Sequence, residues 1–292
     1  MNKAGSAAKV KLNSFDDLFG AEQPQTGTDQ IQEIALSELY EFKGHPFKVL
    51  DDEKMKETVE SIREHGVLMP GIARPRAEGG YEIIAGHRRK HACELIGLNT
   101  MPMFIREYND DESTVIMVDS NIQREDILPS EKAKAYRMKY DALKHQGSRT
   151  GGLSLGEIGE AAGESAKTVQ RYIWLSRLMD SLLELVDAKK IGIMQAVDIS
   201  FLSGNAQQWV LEEIRNKGIT ITTSQSGRLK EMEKQGDLTP AMVQVILEDR
   251  KPQERRVIIK QDRIREFFPD TYSQEDVESI IFQLLEDWKN RQ

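Results

Sequence analysis

Five basic or potentially basic side chains stand in a row at His87, Arg88, Arg89, Lys90 and His91, directly after Gly86. A glycine there lets backbone approach a ligand closely, and the run opens a helical stretch whose first N–H groups lack partners. Cations crowded at one helix start repel one another unless an anion sits beside them, so the chemistry expected is phosphate binding. A second set lies at Ser165, Ala166, Lys167, Thr168, Gln170 and Arg171. Here Gln can pair with adenine and Arg with guanine, while Lys and a helix N-terminus hold phosphates, which suits a DNA reader.

Each set needs elements to position it. The basic run follows Tyr81–Ala85, which reads as a strand joined by the turn at Glu78-Gly79-Gly80 to a strand over Gly71–Arg76. Asp52 is placed to cap a helix carrying Met55, Val59 and Ile62, with Gly66 ending it; a helix from Arg88 to Ile96 stops at Gly97. Met101–Arg106 reads as another strand, and Asp110 opens a helix to Asn121. The second set lies on a helix-turn-helix. Ser154 and Glu157 form a capping box, Leu155, Ile158 and Ala162 make the apolar face, Gly163 supplies the turn, and Ser165 caps the second helix. Val169 and Ile173 pack that helix down, leaving Ala166, Lys167, Gln170 and Arg171 outward, where the major groove would be. Strands interleaved with helices, then helices alone, predict an α+β chain: a small mixed-sheet N-terminal domain, an all-α helix-turn-helix domain and a C-terminal strand-helix unit.

The expected boundaries are a disordered tail over 1–30, an α/β unit over 31–122, a helical unit over 123–221, a linker over 222–238 and a last unit over 239–292. The tail carries Lys3, Lys9 and Lys11; the linker is read from the Ser/Thr-rich run Thr222–Gly227. In the last unit, Arg256–Lys260 reads as a strand. Val277, Ile280, Ile281, Leu284, Leu285 and Trp288 form a helical apolar stripe near the end.

The formal net charge is −8, which alone disfavours a polyanion partner. Its distribution reverses that reading. Between Gln123 and Arg177 there are 10 Lys/Arg against 7 Asp/Glu, a local excess of three positive charges. One cysteine, Cys93, excludes an internal disulfide framework and a cysteine-rich zinc site, and fits a reducing cytoplasm. No apolar run approaches the roughly 20 residues of a membrane span, nor does the start resemble a signal peptide, so no membrane association is expected.

Taken together, the run Tyr81–Ala92 resembles the G-E-R-R-x-R-A box of the ParB/RepB/Spo0J-type DNA-partition family. Gly66-Val67-Leu68-Met69-Pro70 is similar to that family's G-V-x-Q-P, and Asn121–Pro129 to its N-I-Q-R-E-D-L-x-P, with the helix-turn-helix at the expected distance downstream. The similarity covers roughly residues 35–205. It implies a nucleotide-binding domain over 31–122 that takes CTP with Mg²⁺, and a homodimer that closes as a clamp around DNA after capturing a specific double-stranded site. Carried across, Gly86, His87, Arg88 and Arg89 would hold the triphosphate, Gly66 and Pro70 would shape the pocket near the base, and Asn121, Arg124 and Glu125 would form the second phosphate and metal motif, with Asn121 and Glu125 as metal ligands. The unit over 239–292 would be the dimerisation unit, the tail would engage a ParA-type ATPase, and the protein would be cytoplasmic, associated with nucleoid or plasmid. Three positions depart from the pattern: His87 and Ser120 stand where it has Glu, and Met69 where it has Gln. With those carboxylates gone no residue is assigned as catalytic. A plain helix-turn-helix regulator uses the same reader. A ParB-like nuclease would instead need a carboxylate cluster for metal, for which Asp110, Asp111, Glu112, Glu125 and Asp126 are the scattered candidates.

Overall fold

The structure, a computed structural model, describes residues 31–124, 126–145, 155–249, 267–268 and 271–291. The expected tail, the Gln146–Gly152 connector, Ser154 of the capping box, Glu125 and the strand at 256–260 lie outside them. The α+β expectation holds. Strands β1 (Ile31–Ala35), β2 (Leu39–Tyr40), β3 (Gly71–Pro75), β4 (Tyr81–Ala85) and β5 (Thr100–Ile105) form one mixed sheet in the order β1-β5-β3-β4-β2. The pairs β1/β5 and β3/β4 are antiparallel, whereas β3/β5 and β2/β4 are parallel.

Both faces of the sheet are covered, and the two-residue period of the pleat decides which residue goes where. Ile83 and Ile84 are both fully buried, on opposite sides. Ile83 packs with Met55, Ile62, Ala92, Cys93 and Met101, beneath α1 (Glu53–His65) and α2 (His87–Leu95). Ile84 joins Phe42, Phe47, Ile116 and Met117, beneath α3 (Asp110–Asn121). The α1 start is fixed by Asp52, which accepts the Met55 N–H at 2.8 Å.

The helices that follow are α4 (Pro129–His145), α5 (Leu155–Gly159) with a 3-10 turn at Glu160–Ala162, α6 (Ala166–Leu175), α7 (Asp180–Asp187), α8 (Ile193–Ile199), α9 (Gly204–Lys217), α10 (Thr223–Gln235) and α11 (Pro240–Glu248). The core on the Ile84 side continues through Ala135 and Tyr136 of α4 to Ile158, Val169 and Ile173 of the helix-turn-helix. The boundary expected at 122/123 therefore falls inside one shared core. From Leu175 a further apolar cluster runs through Leu182, Leu211 and Leu229 to Ile246 and Leu247.

The expected linker over 222–238 is corrected. Its Ser/Thr content is a helix start rather than a loop: Thr222 and Gln225 form a capping box, and Leu229 of α10 is fully buried. Gln225 Nε2 also donates to the Ile246 and Leu247 carbonyls at 3.1 and 3.0 Å, tying α10 to the end of α11. Residues 239–248 thus belong with the preceding body, and the division falls at Glu248/Asp249. The second unit contains the helix α12 (Gln274–Asn290), none of whose residues is buried.

Candidate functional site: a cationic cleft and a DNA-reading helix

The basic run lies where β4 turns into α2. Gly86 makes the turn at φ 114°, and an added Cβ would come within 3.2 Å of Gly71 Cα and 3.3 Å of Met101 Cε. The positive φ favours glycine, and a side chain would fit only if these neighbours gave way. The first intrahelical bond runs from Lys90 N–H to the Gly86 carbonyl at 3.0 Å. The N–H groups of His87, Arg88 and Arg89 at the start of α2 therefore have no acceptor within it. They border a cleft of about 180 Å³ lined by Val49, Ile72, Ala85, Gly86, His87, Arg88, Arg89, Ser120, Asn121 and Arg124.

The cations of the run are largely engaged. Arg88 Nη2 lies 3.2 Å from Asp52 Oδ1, Lys90 Nζ 2.7 Å from Glu94 Oε1, and His91 Nε2 2.7 Å from Asp51 Oδ1. The Met55 N–H, and then Arg88, hold the Asp52 carboxyl below its usual range. Arg89 Nη1 donates to the Met69 carbonyl and, at 2.8 Å, to the Pro70 carbonyl; burial lowers its pKa. Local carboxylates and carbonyls thus answer much of the repulsion that alone would have called for an anion. Arg124 is different: among the described residues its side chain makes no ion pair.

His87 is not cationic at neutral pH. Burial pushes its pKa down to about 3, with His45 and Lys90 acting the same way. The His45 and His87 rings are 4.0 Å apart between centroids, and the Phe42 N–H approaches His87 Nε2 at 3.5 Å. Burial also lowers the His45 pKa, against the hydrogen bond between its Nδ1 and the Phe47 carbonyl at 2.7 Å. The position where the partition-family pattern has a carboxylate thus carries a neutral imidazole.

The structure brings Gly86, His87, Arg88, Arg89, Asn121 and Arg124 together around the cleft. Gly66 and Pro70 are not in its lining; Pro70 connects to it through Arg89. Val49 and Ile72 were missed, because an apolar wall gives no signal beyond that of ordinary core. Asn121 donates through Nδ2 to the Met117 carbonyl at 2.9 Å and to Ser120 Oγ at 3.3 Å. No carboxylate lines the cleft among the described residues, and none of them forms a cluster able to hold a metal ion. The nuclease candidates are dispersed: Asp110 pairs with Arg74, Asp126 with Lys54, and Asp111 lies 3.4 Å from His145.

The helix-turn-helix takes the expected form. Gly163 has φ 64°, and Ser165 accepts the Thr168 N–H at 3.2 Å to begin α6. Val169 and Ile173 face the core. Ser165, Ala166 and Lys167 are exposed at the helix front, while Thr168, Gln170 and Arg171 are half-buried along its side. Neither Lys167 nor Arg171 makes an ion pair among the described residues, so both are available to a polyanion. No helix among the described residues is long and apolar enough to cross a membrane.

The ParB N-terminal domain family matches residues 20–122. The probable chromosome 1-partitioning protein ParB of Deinococcus radiodurans is 33% identical over 204 residues, covering 70% of this chain and 67% of that protein. A nucleoid occlusion protein of Halalkalibacterium halodurans is 28% identical over 223 residues, covering 76% and 75%. The C-terminally truncated Caulobacter crescentus ParB, solved in complex with the centromeric parS site, is a distant likeness: 21% identity and a TM-score of 0.43, over 70% of this chain and 99% of that one.

Proposed function

The chain belongs to the ParB family of chromosome-partitioning proteins, and from that premise we propose that it is a sequence-specific DNA-binding protein acting in DNA segregation as a nucleotide-gated dimeric clamp. The observation that carries the reading is convergence. The β4–α2 turn and the stretch from the end of α3 to Arg124, separate segments of the chain, meet at one cleft that shares a core with a helix-turn-helix presenting Lys167, Gln170 and Arg171. The cleft's chemistry suits a phosphorylated ligand: free N–H groups at a helix start, a glycine that lets phosphate approach, and a guanidinium without a carboxylate partner among the described residues.

CTP is the nucleotide that the family resemblance assigns. Protein-held Mg²⁺ fits the described residues poorly. Such ions are bound through one or two carboxylates together with substrate phosphates, whereas this cleft offers Ser120 and Asn121 oxygens. No hydrolytic step is assigned. Glu125, expected as a second ligand, lies outside the described residues.

Dimerisation is assigned to the second unit. In α12, Phe282 is 66% and Trp288 60% exposed, and Leu284 and Leu285 are exposed beside them. An apolar stripe of that kind suits an isologous helix interface. Contact with a ParA-type ATPase through residues 1–30 rests on the family resemblance and on Lys3, Lys9 and Lys11 alone, since that segment lies outside the described residues.

The test is calorimetric titration of the full chain with CTP, ATP and GTP, with and without a DNA site selected from a random pool. Binding of CTP in preference to the others is expected. If none of the three binds, the gated reading is wrong and the protein is a plain DNA-binding regulator; occupancy confined to a single site, without spreading, would say the same.

A further inference from the structure

Three polar side chains lie along one face of α4 at helical spacing: Lys132, Tyr136 and Lys139. All three point into protein. Tyr136 is fully buried and the Lys139 side chain is 5% exposed. Groups so placed need partners, and each has one. At one end, Lys139 Nζ lies 2.5 Å from Asp119 Oδ1 in α3 and donates to the Ile158 carbonyl of α5 at 3.2 Å. At the other, Lys132 pairs with Glu164, whose second oxygen accepts the Tyr136 hydroxyl at 2.9 Å.

These partners occupy particular places. Asp119 directly precedes Ser120 and Asn121, which line the cleft. Glu164 directly precedes Ser165, the cap of the reading helix α6. A separate link runs alongside: Gln123, next to the cleft residue Arg124, donates through Nε2 to the Ala161 carbonyl in the helix-turn-helix turn at 2.9 Å. The last turn of α3 and the start of α6 are therefore fastened to the same face of the same helix.

We propose that the coupling a nucleotide-gated clamp requires between cleft and reader runs through this polar seam, with Asp119, Lys139 and Glu164 as positioning residues. The proposal rests on reading the cleft as a nucleotide site. Its physical basis is geometric. A shift of the α3 end to enclose a ligand moves Asp119, and through Lys139 it moves the Ile158 carbonyl of the first reader helix. A soft apolar contact absorbs such a displacement, whereas a buried ion pair with a third hydrogen bond transmits it or breaks. Binding free energies make the effect reciprocal.

The experiment titrates the full chain with CTP, with and without its selected DNA site. In the unaltered protein the two CTP affinities should differ by about five-fold or more. Asp119→Leu combined with Lys139→Met removes both charges together, an exchange buried pairs commonly tolerate. That variant should bind CTP alone and DNA alone within about two-fold of the unaltered protein, while the ratio between the two CTP affinities falls towards one. Tyr136→Phe, which removes only the hydroxyl bonded to Glu164, should reduce the ratio in the same direction and keeps the test decisive if the double variant fails to fold. An undiminished ratio in the folded variants overturns the proposal. So does an unaltered protein that binds CTP equally with and without DNA, an outcome that leaves the cleft reading intact. Failure of the unaltered protein to bind CTP at all removes the cleft reading first, and the seam's role with it.

Discussion

Arg89 donates through Nη1 to the Pro70 carbonyl at 2.8 Å, and so fastens the loop before β3 to the first turn of α2. A side chain expected to grip phosphate is also a strut. Replacing it confounds folding with binding, and Arg124, which has no ion-pair partner among the described residues, is the sharper probe. Arg124→Ala should weaken CTP binding by about ten-fold or more, the worth of one charged hydrogen bond, with an unchanged melting temperature. Arg89→Ala should lower both. Calorimetry and thermal melts on the two variants distinguish these outcomes, and equal loss of stability in both would contradict the division of roles.

His87 makes acid stability a test of the cleft. Its folded pKa of about 3 lies below the ordinary 6.5. Below the ordinary value the unfolded chain takes up a proton that the folded cleft refuses, so stability contributed by the neutral ring is present above that pH and is lost on acidification. Between pH 7 and pH 5 the loss should amount to about 2 kcal/mol from this residue. Denaturant titrations of His87→Gln should show a shallower pH dependence over that range; an identical slope would mean that the imidazole is not held neutral.

On the reader, Arg171→Ala should relax base preference at one position, and Lys167→Ala should weaken binding to all sequences alike. The latter should also reduce the slope of log affinity against log salt by about one. A site-selection experiment together with a salt series checks both. If Lys167→Ala changed base preference and left the salt slope alone, the roles would be reversed.

Leu229 tests the correction to the expected linker. A true linker tolerates Leu229→Ala, but a fully buried leucine of α10 does not, and its truncation should destabilise the body by about 2–5 kcal/mol. Urea denaturation measures it.

In the second unit, Leu284→Asp with Trp288→Glu should convert a dimer into a monomer in sedimentation equilibrium while leaving the other body's melting transition in place. A dimer that persists would place the interface elsewhere.

What could be read from the sequence follows the range over which each signal acts. Asp52 as a cap, Gly66 and Gly163 as turns and the Val169/Ile173 stripe are local, and they stand where expected. β1 and β2 were not read, because one carries mostly exposed residues and the other is two residues long, so neither shows an apolar period. The partners of Arg88 and His91 were not legible as an answer to the cationic run, since Asp52 and Asp51 lie 36 and 40 residues away in sequence. Thr222–Gly227 misled because Ser and Thr serve both loops and helix caps, and the deciding fact was the burial of Leu229 farther on.

The core that runs from Ile84 through Tyr136 to Ile173 has a consequence for how such a chain can be dissected. The family match ends at residue 122, as though a module ended there. Cut at that point, α3 would lose α4, the helix it packs against, and apolar residues of their shared core would face water. The smallest piece that closes its own interior on this side reaches α6. Inheritance and folding therefore divide this chain in different places, and any transplant of the cleft onto another reader must carry α4 with it.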